Sequence, residues 1–196
     1  MFPPRALILA LLLAGVSHEA PAQWAISADV TAARFWGGSQ EVQGDRGFRP
    51  YRPTIVGLGI ERRLLDMNVG LRGYHASASL ALEGTEAVAA IRNALDLHGL
   101  ALEVSGSITT LGAVSVVIYG GPSIEVWDLA DESSSTHAGL SASVGLQAAL
   151  GGRFSGVLKA GAAVTGSPFS TTELEVGFER RALWRREVSG RVRVGL

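Results

Sequence analysis

The 196-residue sequence contains no cysteine, a single lysine (Lys159) and no apolar run long enough to cross a membrane as a helix. Without cysteine the chain can have neither a disulfide framework nor a lipid anchor attached to cysteine. The longest apolar run has about eleven residues, whereas a spanning helix needs about twenty. The net charge of −1 gives no indication of nucleic acid binding. Yet 47% of the residues are hydrophobic, so the apolar side chains must be distributed in another way.

The N-terminal residues have the features of an export signal. Arg5 provides a positive charge, Ala6–Val16 provides a short apolar segment, and Ala20-Pro21-Ala22 provides a cleavage site of small residues. We therefore expect residues 1–22 to be a cleaved signal peptide and residues 23–196 to form a single domain.

Most of the remaining chain alternates apolar and polar residues, which is typical of β-strands with one apolar and one polar face. In the last segment Val188, Val192 and Val194 share one face, and Arg191 and Arg193 share the other. Strands are predicted at 24–35, 54–63, 67–82, 94–109, 113–127, 138–150, 153–165 and 184–196. The pattern predicts an all-β fold, an eight-stranded antiparallel up-and-down transmembrane β-barrel with its apolar face toward lipid.

The connections between these strands differ in length in a regular way. Turns of two or three residues alternate with segments of about 17, 11, 10 and 18 residues, which predicts short periplasmic turns and long extracellular loops. The segment 166–183 is ambiguous, because its alternating glutamates could also form a ninth strand. We predict a loop there, since bacterial barrels have an even number of strands. A change of phase after Leu71 predicts a β-bulge near Gly73.

Four aromatic residues fall on outward faces at the two ends of the predicted barrel. Trp24 and Phe154 lie at the short-turn end, and Trp36 and Trp184 lie at the long-loop end. Such residues form girdles at the two membrane interfaces. The outward charged or titratable residues also fall at the rims, where their side chains can reach water: Arg34, Arg62 and His98.

The export signal, the period-two strands, the alternating connections and a final strand that reaches the C-terminus resemble the small eight-stranded outer-membrane barrels of the OmpA/OmpX type. The resemblance covers the chain after the signal. It implies a monomer in the outer membrane of a Gram-negative bacterium, in contact with membrane lipid and lipopolysaccharide. One difference is the final residue, Leu196, because such barrels usually end in an aromatic residue.

The inward faces of the predicted strands carry many charges. They are Asp29, Glu61, Arg63, Arg72, Glu103, Glu125, Lys159, Glu187, Arg191 and Arg193. An eight-stranded barrel is just wide enough for side chains to fill it, and buried charges must be paired. We therefore predict an interior network of ion pairs, with Glu61 beside Arg72, and with Asp29 beside the charges of the last strand.

No sequence feature indicates a reaction. His75, His98 and His137 lack metal-ligand spacing, and no serine-histidine-acid arrangement is visible. We expect no catalytic residue, no cofactor and no metal. A lipid A-modifying enzyme remains an alternative, and His98 with a neighbouring serine is its only candidate pair.

The long loops are the predicted binding surface, because function concentrates on loops that a rigid scaffold holds. Arginine together with aromatic residues is typical of binding hot spots, and arginine also pairs with the phosphates of lipopolysaccharide. The candidate contacts are Arg46, Phe48, Arg49, Tyr51, Arg52, Phe169, Phe178, Arg180 and Arg181. We predict a non-enzymatic protein with a structural or surface-binding role and an unknown surface ligand.

Two further alternatives remain open at the level of sequence. A soluble, lipocalin-like carrier would have the same strands with the faces inverted, so that the apolar side chains enclose a hydrophobic ligand. A narrow pore would have the predicted faces and an open interior.

Overall fold

The computed structural model describes residues 24–44, 46–83, 88–129, 134–169, 174 and 177–196, and the predicted signal peptide lies outside them. The described residues form nine β-strands: β1 (Trp24–Glu41), β2 (Gly47–Tyr51), β3 (Thr54–Leu64), β4 (Met67–Glu83), β5 (Val88–Leu111), β6 (Val114–Leu129), β7 (Ser134–Gly151), β8 (Phe154–Thr165) and β9 (Phe178–Gly195). Within these ranges there is no helix long and apolar enough to cross a membrane.

Eight of these strands close into an antiparallel ring. The hydrogen-bonded order is β4-β3-β1-β9-β8-β7-β6-β5, and β5 pairs with β4 to complete the circle. The short β2 pairs with β4 beyond the end of β3, so β2 and β3 occupy one position in the ring. Arg52, with a φ of 39°, and Pro53 separate them. The predicted eight-stranded antiparallel barrel is therefore confirmed.

The two ends of the barrel differ as the connection lengths predicted. The turns that follow β3, β5 and β7 each leave two residues outside the strands, and all three turns lie at one end. Gly152 has a φ of 56° in the last of these turns, a conformation that glycine adopts without steric cost. The last residues of β1, β4, β6 and β8 and the first residues of β2, β5, β7 and β9 lie at the opposite end, which we call the loop end.

The strands continue further toward the loop end than the sequence predicted. β1 extends to Glu41, β2 lies inside the predicted first loop, and β9 begins at Phe178 rather than Trp184. The predicted second and third loops, 83–93 and 128–137, are likewise entered by strand residues at their edges. Backbone hydrogen bonds continue the ladder there, although glycine, proline and arginine obscure the side-chain alternation. At Gly37 a β-carbon would lie 2.2 Å from the Ala182 carbonyl oxygen, so only glycine fits this approach.

The predicted bulge near Gly73 is wrong in position. The β4–β5 register stays continuous past Gly73 and shifts between Ala78 and Leu80. Up to Ala78 the buried inward residues have even numbers, whereas the next buried residue, Ala81, has an odd number. The alternation between the two faces therefore changes phase between Ala78 and Ala81. The bulge therefore lies near the loop end of β4.

The faces of the barrel are oriented as the membrane interpretation requires. Outward apolar residues are exposed, such as Val30 (56%) and Leu58 (70%), whereas the inward charged residues Asp29 and Arg191 are both only 5% exposed. A soluble protein buries its apolar residues and exposes its charged ones. The lipocalin-like alternative is therefore wrong.

Candidate functional site

The interior of the barrel contains the main concentration of charged side chains. The lumen network consists of five acidic and five basic residues: Asp29, Glu61, Glu103, Glu125 and Glu187, with Arg72, Lys159, Arg185, Arg191 and Arg193. The formal charges of these ten residues sum to zero. The network therefore compensates its own charge without any ion from outside.

The part of the network nearest the loop end is centred on Arg185 of β9. Its guanidinium donates to the Glu125 carboxylate over 2.8 Å and to the Glu187 carboxylate over 3.0 Å. The Tyr74 hydroxyl donates to the same Glu125 oxygen over 2.7 Å. All these side chains are buried or nearly so, and Tyr74 lies directly opposite Gly99, where any β-carbon would overlap its ring. These contacts join β4, β6 and β9 across the interior.

The centre of the network is shared by Glu103 and two cations. Lys159 donates to Glu103 over 2.9 Å, and Arg191 forms two hydrogen bonds with the same carboxylate, one of them 3.0 Å long. The Arg191 Nε atom also lies 3.7 Å from Asp29 Oδ1. The Tyr119 ring lies within cation–π distance of both Lys159 and Arg191. Glu103 is thus compensated by two cations, which offsets the cost of burying its charge.

Two further pairs show that the predicted partner of Glu61 was wrong. Arg72 pairs with Asp29, with an Nε–Oδ1 distance of 2.8 Å, and Glu61 pairs with Arg193. Arg72 reaches over β3 because Gly57 leaves the space open: a β-carbon there would lie 2.8 Å from Arg72 Nε. The stagger between neighbouring strands therefore decides these pairings, since it sets which side chains lie at the same height inside the barrel.

The predicted interior residues lie inside with one exception. Arg63 is exposed at the short-turn end, where its Nε donates to the Leu65 carbonyl oxygen over 3.3 Å. Arg185 belongs to the network although it was not among the predicted residues. The period-two pattern would have identified it, because Arg185 alternates with the outward Trp184 and Arg186.

An apolar layer separates the network from the loop end. This apolar plug consists of Phe35, Leu95, Leu97, Trp127 and Leu183, all at most 1% exposed. The rings of Phe35 and Trp127 meet edge to face, with centroids 5.7 Å apart. The sequence prediction missed the plug, although each member lies on the inward phase of its strand. Together the two layers fill the interior as an eight-stranded barrel permits.

The cavities within the network are very small. One, between Tyr74, Glu103 and Lys159, has a volume of about 20 Å³, and another, beside Glu61 and Arg191, has about 10 Å³. Each has room for about one water molecule. A wider recess of about 180 Å³ lies at the short-turn end beside Arg63 and Asn68. None of these three spaces is lined by a residue of the apolar plug.

The predicted loop contacts fall into three sets in the structure: an aromatic cluster, one buried arginine and five residues at or near the surface. Phe48, Phe169 and Phe178 pack together, with ring centroids 5.2 Å apart for Phe48 and Phe178 and 6.3 Å apart for Phe48 and Phe169. Arg49 is buried and donates to the Phe35 carbonyl oxygen over 2.5 Å, so it is not a surface residue. The remaining members lie at the surface or partly exposed: Arg46, Tyr51, Arg52, Arg180 and Arg181.

Two side-chain hydrogen bonds hold the segment Ser167–Phe169 in place above the plug. Ser167 donates to the Gly38 carbonyl oxygen over 2.7 Å, and Ser135 donates to the Pro168 carbonyl oxygen over 2.9 Å. Ser167, Pro168 and Phe169 are buried. Among the described residues, this buried segment therefore adds to the packing at the loop end.

Glu41 and Arg46 clamp the hairpin between β1 and β2. Arg46 forms two hydrogen bonds with the Glu41 carboxylate, of 2.6 and 2.9 Å. The hydrogen bond from Arg46 lowers the pKa of Glu41 below its usual value of 4.5. Because the folded state thus holds the ionised form, the clamp persists above the usual pKa and is lost as the pH falls through the lowered value.

We expect an NMR titration of the side-chain carboxyl carbon of Glu41 to give a pKa below 4.5. In the Arg46→Gln variant the pKa should return toward the usual value, because the charged donor is gone. The matched control is Arg181→Gln, which removes a longer and more exposed contact, 3.5 Å from Glu179, and should leave the Glu41 titration unchanged. If Arg46→Gln also left it unchanged, the ion pair would not exist in solution.

The four predicted interface aromatics point outward at the expected ends. Trp24 and Phe154 are exposed near the short turns, and Trp184 is exposed near the loop end. Trp36 stacks on Trp184, with centroids 6.4 Å apart and an interplanar angle of 11°. Arg62 lies over the Trp24 ring at 5.5 Å, and Arg186 lies over the Trp36 ring at 4.9 Å.

The outward histidines do not form a recognisable catalytic arrangement. His75 and His98 stack with centroids 4.6 Å apart, and His98 lies 4.0 Å from Asp128. The nearby Ser77 hydroxyl donates to Asp96 over 2.6 Å rather than to a histidine. Within the described ranges no group of three or more histidine, aspartate or glutamate side chains could hold a metal ion. The absence of catalysis stays a prediction.

Comparison with known proteins gives likenesses of structure. No protein-family model matches the chain, and no curated protein matches it in sequence. Its structure is similar to Neisserial surface protein A (16% identity, TM-score 0.57, covering 89% of this chain and 99% of that one). It is also similar to the outer membrane protein AlkL (11%, 0.55, 92% and 94%) and to a major outer membrane protein of Thermus thermophilus (12%, 0.50, 88% and 99%). The fold of the small outer-membrane barrels, which the sequence resemblance predicted, is confirmed.

Proposed function

We propose that the protein is a non-enzymatic, integral outer-membrane β-barrel whose filled interior does not conduct ions or solutes. The observation that carries this proposal is the inversion of its faces: apolar residues cover the outside, and the neutral lumen network fills the inside. In water such an exterior would aggregate, whereas in hydrocarbon it is the favoured surface. The similar structures are outer-membrane proteins, which supports the same location.

The height of the apolar band supports a membrane-spanning barrel. Trp24 and Trp36 mark its two ends on β1 and are twelve residues apart. At about 3.3 Å per residue and a strand tilt of about 40°, this separation rises about 30 Å along the barrel axis. The hydrocarbon core of a bilayer is also about 30 Å thick.

A structural role fits the interior better than transport does. The lumen network, the apolar plug and the buried Ser167–Phe169 segment occupy the interior one above another. A surface-binding role would depend on the loop end, where β1 and β9 extend past the Trp36–Trp184 pair and present Arg180 and Arg181 to solvent. Arg46 and Arg181 there already contact Glu41 and Glu179. That this surface binds a ligand is part of our proposal.

Single-cysteine labelling tests the membrane location directly, because the native chain has no cysteine. A fluorophore on the Val192→Cys variant, whose new side chain lies on the outward face, should be quenched by spin-labelled lipid in vesicles. The matched control is Ser189→Cys, at an inward and buried position, which should stay unlabelled until the barrel unfolds. The wild type should also migrate differently on gels before and after boiling, because a closed barrel resists SDS.

Two results would contradict the proposal. One is rapid reaction of the Val192→Cys variant with a membrane-impermeant maleimide in vesicles, without lipid quenching. The other is release of the protein from bacterial envelopes by carbonate without detergent. Stable conductance steps in a planar bilayer would contradict the filled interior alone.

A further inference from the structure

Two arginines face each other on the outside of the barrel. Arg34 of β1 and Arg186 of β9 are direct cross-strand partners, and both side chains point outward and are exposed. Like charges placed directly opposite each other on a sheet are destabilising. Ala33 precedes Arg34 on β1, and Arg185 precedes Arg186 on β9. Both of these neighbours are buried on the inward face, so their side chains point away from the two outward arginines. The repulsion is therefore a cost that some other contact must offset.

A third arginine joins this pair. Arg52, at the junction of β2 and β3, is exposed and helps to line the same exterior groove as Arg34 and Arg186. Within the described parts of the chain none of the three forms an ion pair with a carboxylate. Two of them contact aromatic rings instead: Arg52 lies 5.2 Å from the Tyr51 ring, and Arg186 lies 4.9 Å from the Trp36 ring. Glu187 also lines the groove, but its carboxylate pairs with Arg185. Among the described residues the three positive charges of the site therefore have no carboxylate partner.

The groove beneath these arginines is apolar and shallow because its floor has small side chains. It has a volume of about 560 Å³ and runs over the cross-strand row formed by Ala32, Val188 and Ala160. This volume is within the range of ligand sites. The groove thus has a cationic upper rim and an apolar lower part, which matches a molecule with an anionic head and hydrocarbon chains.

The height of the site places the arginines at the headgroup level. Arg34 and Arg186 lie two residues from Trp36 and Trp184, on the side nearer the membrane centre. Long arginine side chains at such positions extend toward the interface, where their charged ends reach water and phosphate. The ring of Trp36 holds the Arg186 guanidinium at this level.

We propose that Arg34, Arg52 and Arg186 form an exterior site for the phosphate groups of an outer-leaflet lipid. Guanidinium groups bind phosphate through paired hydrogen bonds, and a bound phosphate between Arg34 and Arg186 would turn their repulsion into attraction. Three cations favour a phosphomonoester, which carries nearly two negative charges, over a phosphodiester, which carries one. The site rests on the proposed membrane location and specifies which lipid chemistry the exterior recognises.

The test is lipid binding to the full barrel, measured by native mass spectrometry from detergent micelles. The probes are phosphatidic acid (a phosphomonoester), phosphatidylglycerol (a phosphodiester), phosphatidylcholine and inorganic phosphate. We expect the wild type to bind phosphatidic acid most tightly, and Arg34→Gln/Arg186→Gln to bind it about tenfold to a hundredfold more weakly. Arg62→Gln is the matched control, because Arg62 also lies over an exterior tryptophan, Trp24, but at the other rim.

A second measurement separates lipid binding from a merely structural role. In phosphatidylcholine vesicles the double variant should unfold at a higher urea concentration than the wild type, because the repulsion is removed and uncharged urea does not screen it. In vesicles that contain phosphatidic acid the wild type should instead be the more stable of the two proteins. Equal phosphatidic acid affinity in variant and wild type, the absence of this reversal, or displacement of the lipid by millimolar inorganic phosphate would each overturn the proposal. If the labelled Val192→Cys protein also failed to show lipid contact, the membrane location itself would be at fault.

Discussion

Replacing Arg185 with methionine is expected to lower the free energy of unfolding by about 3–5 kcal/mol, because it leaves buried carboxylates without their cation. Arg185 donates to both Glu125 and Glu187, and the Glu125 side chain is only 1% exposed. Without the guanidinium, Glu125 would keep the Tyr74 hydroxyl as a donor but no opposite charge. The change is measured by reversible guanidinium unfolding in lipid vesicles, followed by tryptophan fluorescence.

A rescue experiment distinguishes an unpaired charge from lost packing. Arg185→Met combined with Glu125→Met should recover most of the loss, since the most buried carboxylate is then absent. The surface control is Arg181→Met, which removes a cation paired with Glu179 at 3.5 Å in solvent, and it should cost less than about 1 kcal/mol. Equal losses in Arg185→Met and Arg181→Met would mean that the lumen network does not stabilise the barrel.

Replacing Val30 with arginine is expected to destabilise the membrane-inserted barrel by about 2–4 kcal/mol, the cost of a cation on the lipid face at mid-depth. Val30 is exposed on the outward face and lies six residues from both Trp24 and Trp36. In a soluble protein an exposed valine tolerates this substitution. The same unfolding titration in vesicles gives the difference in free energy.

The matched control places the same arginine at a membrane interface. Leu111, the last residue of β5, is exposed like Val30 but lies at the short-turn end. Leu111→Arg should cost about 0–1 kcal/mol, because the side chain reaches water there. If both substitutions had the same small effect, the outward face would not be in contact with hydrocarbon.

The orientation of each strand could be predicted from sequence because burial reverses sharply between the two faces. Val188 and Val192 alternate with Ser189 and Arg191, and a shift by one residue would exchange lipid for the lumen. The strand order followed from the connections, since short turns require antiparallel neighbours. These are local properties, and they were sufficient for the fold.

The partners inside the barrel could not be predicted in the same way. Which charges meet depends on the stagger of the strands and on the gaps that glycine leaves, such as the one at Gly57 that lets Arg72 reach Asp29. Neither the stagger of the strands nor the space beside a glycine can be read from the spacing of residues along the sequence. The predicted Glu61–Arg72 pair was wrong for this reason, although both residues are inside.

The strand ends and the apolar plug were missed for another reason. Beyond the aromatic pair Trp36 and Trp184 the environment no longer differs between lipid and lumen, so the alternation fades while backbone pairing continues. Phe35 and Trp127 are inward but apolar, and a search of the inward face for charges passes over them. The alternation of apolar and polar residues thus indicates the part of a strand inside the membrane, but it does not indicate where the strand ends.

β9 supplies most of the positive charge of the lumen network. β9 contributes Arg185, Arg191 and Arg193 to the network, together with Glu187. Before β9 docks, the nascent sheet would hold four carboxylates (Asp29, Glu61, Glu103 and Glu125) against two cations (Arg72 and Lys159). Three of the five cations of the network therefore join it only when β9 pairs with β1 and β8. Charge neutrality of the interior is therefore reached only when the ring closes, because without β9 the four carboxylates face only two cations.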